Sequence, residues 1–467
     1  MKNLLLALLC FGASAAYAQM PNTLTPAEKV YGLSKFWQEV NYNFVYLNKI
    51  DRNQWDKDYQ SLITEVQETE NDYEYFMLLQ KFCASLKDGH TNVYLPKRVT
   101  DKLQNASFGD FRFVITNIDD RAIITHITPN KKDDIPIGTE IIEVNGMDTQ
   151  SYLEEEVLPY VSSSTDYVRM DKANRRLLQG PTGTSFEMVL KYPDGQTEAM
   201  NLTLTETQDK AVFPEIKRRP PMEFEWLEDG TAYISLNTFS NPEINSLFTE
   251  KLSEIRKAKK MILDLRYNGG GNTNIGTDIL QYLTNDDVLF LSASESRLHI
   301  PSFKAWGAWK TPKDTIEGSP ESIAWNKQAF LSARDDYFHE FGSNITKVDL
   351  KMDERIVVPT VILIGNNTAS AAEDFLIAAD NQEHMTKIGE PTFGSTGQPL
   401  RIVLPGRGSA RICTKKDTYP DGREFVGYGI QPDILVSKTV EDFMNDGDPV
   451  LDKAIEFLKS NSSLLPD

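Results

Sequence analysis

The stretch "RIVVPTVILIGNNTASAAEDFLIAAD", Arg355 to Asp380, decides how this chain folds. It opens as an apolar, β-branched run, the composition of a buried strand. From Ser370 it continues in a helical pattern. The residues between must turn a strand into a helix. Such a turn presents Ser370 at the strand's C-terminal edge, where α/β sheets place their ligands. The helix N-terminus adds unsatisfied N–H groups and the positive end of a dipole. Those groups suit the oxyanion of an acyl-transfer intermediate. The small neighbours Ala369 and Ala371 leave room for a substrate. The same residues would equally let Ser370 or Thr368 cap the helix, and this stretch alone favours the cap.

Working outward, the chain from about 207 alternates strands and helices. "TAYISLNTF" reads as a strand, "NPEINSLFTEKLSEIRKA" as a helix, and "KKMILDLRY" as a buried strand running into Gly269-Gly270-Gly271. This rhythm predicts an α/β core over 207–467. Glycines at the strand end let a backbone approach a ligand and aim an N–H at it. Neither the P-loop pattern nor GxGxxG is present. Residues 291–350 are aromatic-rich without clear period and read as an insertion over the core.

The preceding regions differ in kind. Residues 20–103 read as an N-terminal helical domain. It begins with the capping box Thr25-Pro26-Ala27-Glu28. Val30, Leu33, Trp37 and Val40 then recur at helical spacing. Two more helices follow, around Trp55–Ile63 and Tyr75–Leu86, the last expected to stop at Asp88-Gly89. His90 comes next, before the strand-like "TNVYL". Residues 104–206 show short alternating runs separated by turn residues, with a hairpin expected at "PDG".

The overall numbers bound the function. The 467 residues suit two or three domains. The formal charge of −19 argues against nucleic acid or an anionic membrane surface as partner. Lys2, the apolar run after it and the small-x-small site Ala16–Ala18 read as a secretory signal over residues 1–18. The chain is therefore expected to be exported, to a periplasm or beyond, with no integral membrane segment after cleavage. Cys83 and Cys413 could pair or stay separate thiols. The scattered histidines offer no metal framework, and no metal or cofactor is expected.

Two resemblances sharpen this reading. "IPIGTEIIEVNGMDT" and "GPTGTSFEMVLKYPDGQTEAMNLTL" resemble the paired phrases of a PDZ domain. The resemblance implies that the loop at Phe108, Gly109, Asp110 and Phe111 receives a peptide's terminal carboxylate on backbone N–H groups. "ILDLRYNGGGN", "VILIGNNTASAAED", "IGEPTFGSTGQ" and "YPDGREFVGYGIQPDI" resemble, in order, four phrases of the tail-specific, or C-terminal processing, serine peptidases, which include the tricorn core. That resemblance implies a multidomain α/β protein: an N-terminal helical region, a PDZ-like β-rich domain and an α/β core of the crotonase-like ββα type. It implies Ser370 as nucleophile and an oxyanion hole from the N–H groups of Ala371 and Gly270 or Gly269.

The base departs from one branch of the family. Serine–lysine members carry lysine directly after T-x-G, where this chain has Ser395 after Thr392-Phe393-Gly394. Lys387 is a poor substitute. "SLKDGHTNVYL" resembles the histidine phrase of the tricorn-like branch, which implies His90 as base, with Gly89 where tricorn has serine. A histidine of ordinary pKa near ~6.5 suits that work. Asp417 and Glu424 are the candidates for the orienting acid. Glu373, one helical turn beyond Ser370, reads as support for the helix start. The implied function is a secreted or periplasmic endopeptidase cleaving peptides or unfolded protein tails. An inactive peptide-binding scaffold and an esterase or amidase on the same framework are the alternatives.

Overall fold

The structure, a computed structural model, describes residues 20–460, so the signal and its cleavage site lie outside the described residues. The first helix, α1 (Pro26–Asn43), starts with the expected reciprocal cap. Thr25 accepts the Glu28 N–H at 3.3 Å while Glu28 takes the Thr25 N–H at 2.8 Å. Helices α2 (Arg52–Glu68) and α3 (Asp72–Ala84) follow. The last of these ends earlier than its sequence suggests. The left-handed residue after it is Lys87, with φ of 50°, and not Gly89. Strand β1 (Asn92–Tyr94) then pairs with a distant C-terminal strand, Ser409–Cys413.

That pairing changes how the N-terminal region is understood. Its helices bury Leu33, Phe36, Trp55 and Phe82 together with Ile402, Ala410, Ile412 and Cys413 from the C-terminal part. The apolar helix faces need a partner to exclude water from both sides, and the C-terminal strands supply it. The N-terminal helices therefore share one core with C-terminal strands, while the residues from Ala106 to Leu204 build a core of their own. Cys83 and Cys413 are both buried free thiols.

The β-rich domain holds β2 (Phe113–Ile118), β3 (Arg121–Ile127), β4 (Glu140–Val144), β5 (Ser185–Lys191) and β6 (Thr197–Thr203) as an antiparallel array in that order. The "PDG" turn joins β5 and β6, with Gly195 at φ of 88°. Helix α4 (Asp166–Asn174) lies between β4 and β5 in sequence and packs against β2.

The core sheet runs β7 (Met222–Trp226), β8 (Thr231–Leu236), β9 (Lys260–Asp264), and then three strands named below. Helices α5 (Glu243–Ile255) and α6 (Thr273–Leu280) flank β9 in sequence. Strands β10 (Val288–Arg297) and β11 (Phe338–Lys347) form a long arm carrying α7 (Pro301–Gly307) and α8 (Pro320–Ser332). This is the segment read as an insertion. It is anchored, since β10 also pairs with the strand Lys416–Thr418. The core sheet continues with β12 (Thr360–Ile364), then β13 (Met385–Gly389) after helix α9 (Ala371–Ala378). Strands β14 (Pro399–Val403), β15 (Ser409–Cys413), β16 (Lys416–Thr418) and β17 (Ile434–Leu435) follow, β17 closing the core sheet beside β13. Within the core sheet the pairings β8–β9, β9–β12, β12–β13 and β13–β17 are all parallel, so these strands' C-terminal ends lie along one edge. Helix α10 (Pro449–Ser460) covers β12 and β13 on one face.

Candidate active site

Three turns leave the C-terminal ends of β9, β12 and β13 and meet. The turn after β9 donates nothing by charge. It contributes shape, because Gly270 sits at φ of 89°, and a Cβ there would lie 2.8 Å from Ser370 Cβ and 2.9 Å from Ala371 N. Only glycine allows that approach. The Asn268 carbonyl accepts the Ala369 N–H at 3.0 Å, joining this turn to the next. In the turn after β12, Thr368 Oγ donates to the Leu265 carbonyl at 2.9 Å and accepts the Gly365 N–H at 3.1 Å.

Ser370 stands between β12 and α9 with φ of 56° and ψ of −118°. That is a sparsely populated conformation for a residue with a Cβ, held only because neighbours over-determine it. Its hydroxyl does not cap the helix by a hydrogen bond. The N–H of Ala371, at the first helical position, has no place in the helix ladder. Gly270 N–H is occupied differently from what the sequence suggests. It donates to Asn268 Oδ1 at 3.0 Å, while Gly269 is exposed with open space around it.

Glu373 ties the strained serine in place. It is fully buried, and each of its oxygens takes two donors. One oxygen accepts Ser370 N–H at 2.9 Å and Ser395 N–H at 3.3 Å. The other accepts Thr392 Oγ–H at 2.6 Å and Gly394 N–H at 2.7 Å. Burial pushes its carboxyl up to about 7, against the pull of these four hydrogen bonds. Glu373 thus does more than support the helix start. It fastens the T-F-G-S turn after β13 to the backbone of Ser370.

Ser395 then reaches His90. Its Oγ lies 2.7 Å from His90 Nδ1, across 305 residues of chain. Gly89 makes this possible, since a Cβ there would fall 2.8 Å from Ser395 Oγ and 2.7 Å from the Phe393 ring. The side chain missing at position 89 is replaced in space by the hydroxyl of Ser395. His90 is 8% exposed. Burial, then the positive charges of Arg411, Lys172 and Lys415, pull its imidazole down to about 3.

The candidate acids lie elsewhere. Asp417 is buried among Ser294 Oγ (2.6 Å), Lys415 Nζ (2.9 Å) and Thr396 Oγ (3.1 Å). Glu424 is bound by Lys49 and Lys416, each at 3.1 Å, with its side chain 38% exposed. Neither is hydrogen-bonded to His90, whose ring nitrogen meets a hydroxyl instead. Lys387 pairs with Asp433 at 3.6 Å and Asp380 at 3.7 Å. Sequence reasoning passed over Ser395 as a partner, although its position after T-F-G was the available signal.

The loop at Phe108–Phe111 is compact, with the Phe108 and Phe111 ring centroids 5.4 Å apart. Three of its N–H groups are already donated: Phe108 to the Phe111 carbonyl, Gly109 to that of Thr205, and Asp110 to that of Phe108.

A serine on a strained strand-to-helix turn, a helix N-terminus beneath it, and a buried histidine linked to the same carboxylate scaffold can perform acyl transfer. The comparisons agree with that chemistry. Residues 230–436 match the model of Peptidase family S41. Over 100 residues the chain is 31% identical to the "Carboxy-terminal-processing protease" of Bartonella bacilliformis, an alignment spanning 22% of that protein. It is 21% identical to the "Carboxyl-terminal-processing protease" of Synechocystis sp. over 93% of its own length and 87% of that relative's. The crystal structure of mature CPAF shares its fold, with a TM-score of 0.67 and 15% identity over 95% of this chain and 97% of that one. Through residues 230–436 the chain is similar to Peptidase family S41, and over most of its length it is similar to a carboxyl-terminal-processing protease.

Proposed function

We propose that this protein is an exported endopeptidase that cleaves peptides or unfolded protein tails through an acyl-enzyme on Ser370. In this reading residues 104–206 are a PDZ-like domain and the core is of the crotonase-like type. The observation that supports it most is the continuous linkage from the Ser370 backbone through Glu373 and Ser395 to His90 Nδ1. With Nδ1–H donating to Ser395 Oγ, His90 Nε2 keeps its lone pair and acts as the base. Ser370 Oγ attacks the peptide carbonyl as its proton passes to Nε2. The N–H groups of Ala371 and of Gly269 stabilise the oxyanion, the Gly270 N–H being held by Asn268. His90 returns the proton to the leaving amine, and water releases the acyl group by the reverse path.

Ser395 takes the orienting place that Asp417 and Glu424 were expected to fill. A hydroxyl holds the ring's tautomer but does not offset the charge of an imidazolium as a carboxylate would. The test is labelling with a fluorophosphonate probe alongside casein cleavage. Wild-type protein and Lys387→Ala should both label and cleave, and Ser370→Ala and His90→Ala should do neither. Labelling that survives His90→Ala would remove His90 as the base.

A further inference from the structure

Between α3, β1 and the end of α4 lies a cavity of about 270 Å³ lined by Gln80, Asn92, Tyr94, Val161, Lys172 and Arg176, among others. It shares Arg176 and part of its wall with a larger trough of about 750 Å³ running along the β-rich domain. Lys172 and Arg176 both face it, four residues apart, and no acidic side chain lines it. Among the described residues neither cation forms an ion pair. Lys172 Nζ donates to the Ser162 carbonyl at 3.0 Å and lies 4.6 Å from the Phe393 ring centre. Burial, then the neighbouring charges of Arg176 and Arg411, bring Lys172 down to about 8.

Asp88 acts on Lys172 only at a distance, and Glu74 and Glu156 line the outer trough. Two partly buried cations that no carboxylate contacts directly keep charge that a ligand can use. They are unexpected in a chain of net charge −19. An anionic ligand would satisfy both. The cavity lies near His90, because Lys172 of its wall stands over the Phe393 ring and its charge acts on the His90 imidazole. Among the described residues strand β1 pairs with β15 alone, and Gln80 from α3 donates to its Val93 carbonyl at 3.0 Å, so the cavity wall there carries an amide side chain beside the strand. In the loop at Phe108–Phe111, by contrast, the N–H groups of Phe108, Gly109 and Asp110 are donated within the chain.

We infer that this cavity receives the C-terminal carboxylate of the substrate chain, bound by Lys172 and Arg176, with the apolar wall at Val161 holding the last side chain. The inference rests on the peptidase reading for its choice of ligand. Its test does not depend on turnover. A fluorescein-labelled peptide of about ten residues ending in valine, as free acid or as amide, is titrated against the Ser370→Ala protein by anisotropy. The acid should bind about tenfold or more tighter than the amide, the scale of one charge-assisted contact. Arg176→Gln and Lys172→Gln in that background should each bring the acid towards the amide's affinity and leave the amide unchanged. Equal binding of acid and amide, a preference that survives both substitutions, or equal loss of acid and amide in both would overturn the assignment. Displacement of the peptide by millimolar inorganic phosphate as effectively as by unlabelled acid would assign the cavity to a free anion instead. Failure of the fluorophosphonate to label Ser370 would remove the peptidase reading while leaving the binding result intact.

Discussion

Glu373→Gln isolates what the buried carboxylate contributes, because the substitution keeps shape and removes charge. In the native protein each carboxylate oxygen takes two donors. An amide nitrogen at either oxygen's place would face two donors and satisfy neither. Leaving buried donors unmatched costs about 1–3 kcal/mol each, so the variant should lose about 2–6 kcal/mol where Glu373 is neutral. Ionisation works the other way. The carboxyl's ordinary value is 4.5, and burial raises it to about 7 in the fold. A carboxyl raised on folding contributes stability that is complete below about 4.5 and is lost as pH rises through about 7. The loss amounts to about 3 kcal/mol, from the shift and 1.36 kcal/mol per pKa unit. Glutamine has no such dependence. The stability gap between wild type and Glu373→Gln should therefore narrow by about 3 kcal/mol between acid and alkaline pH. Urea unfolding followed by tryptophan fluorescence at about pH 5, 7 and 9 measures the gap. Curves that stay parallel, or a gap that widens with pH, would show that Glu373 ionises without penalty and refute the argument.

Three other outcomes are expected. Ser395→Ala should lower kcat about tenfold to hundredfold with little change in KM, since it removes the hydrogen bond that orients His90 and touches no substrate; a change confined to KM would contradict that role. His90 is pulled from 6.5 to about 3 by burial and nearby cations, so its contribution to stability is present above 6.5 and lost as pH falls through about 3. His90→Gln should flatten the acid side of the stability profile by up to about 5 kcal/mol, read by thermal unfolding from neutral to about pH 3. Gly270→Ala puts a Cβ 2.6 Å from the Ala369 carbonyl oxygen at a φ of 89°; it should abolish fluorophosphonate labelling while circular dichroism shows a folded protein.

Much of the architecture is legible from local pattern. The turn that carries Ser370 is found because an apolar run, a short polar turn and a helical pattern can be joined in few ways. The Thr25–Glu28 cap and the "PDG" hairpin are likewise local, each complete within a few residues. The stop of α3 is less well read. Glycine usually marks a left-handed helix end, but here Lys87 takes that conformation, and Gly89 is needed for the space that Ser395 fills. The N-terminal helices look self-contained in sequence because their apolar spacing shows that a face is buried, not what buries it. The strands around Ile402 and Ile412 do so.

The sequence by itself determined the strand-to-helix turn at Ser370, the glycine turn after β9 and the order of helices and strands, because short-range sterics and periodicity set these. Only the tertiary structure decided the partner of His90. That contact joins residues 305 positions apart through one hydroxyl, and a serine carries no local mark of which distant group it will meet. The folded packing of Gly89 against Ser395, and of Glu373 beneath both Ser370 and Ser395, puts that hydroxyl within hydrogen-bond reach of the ring and leaves Asp417 and Glu424 to other partners.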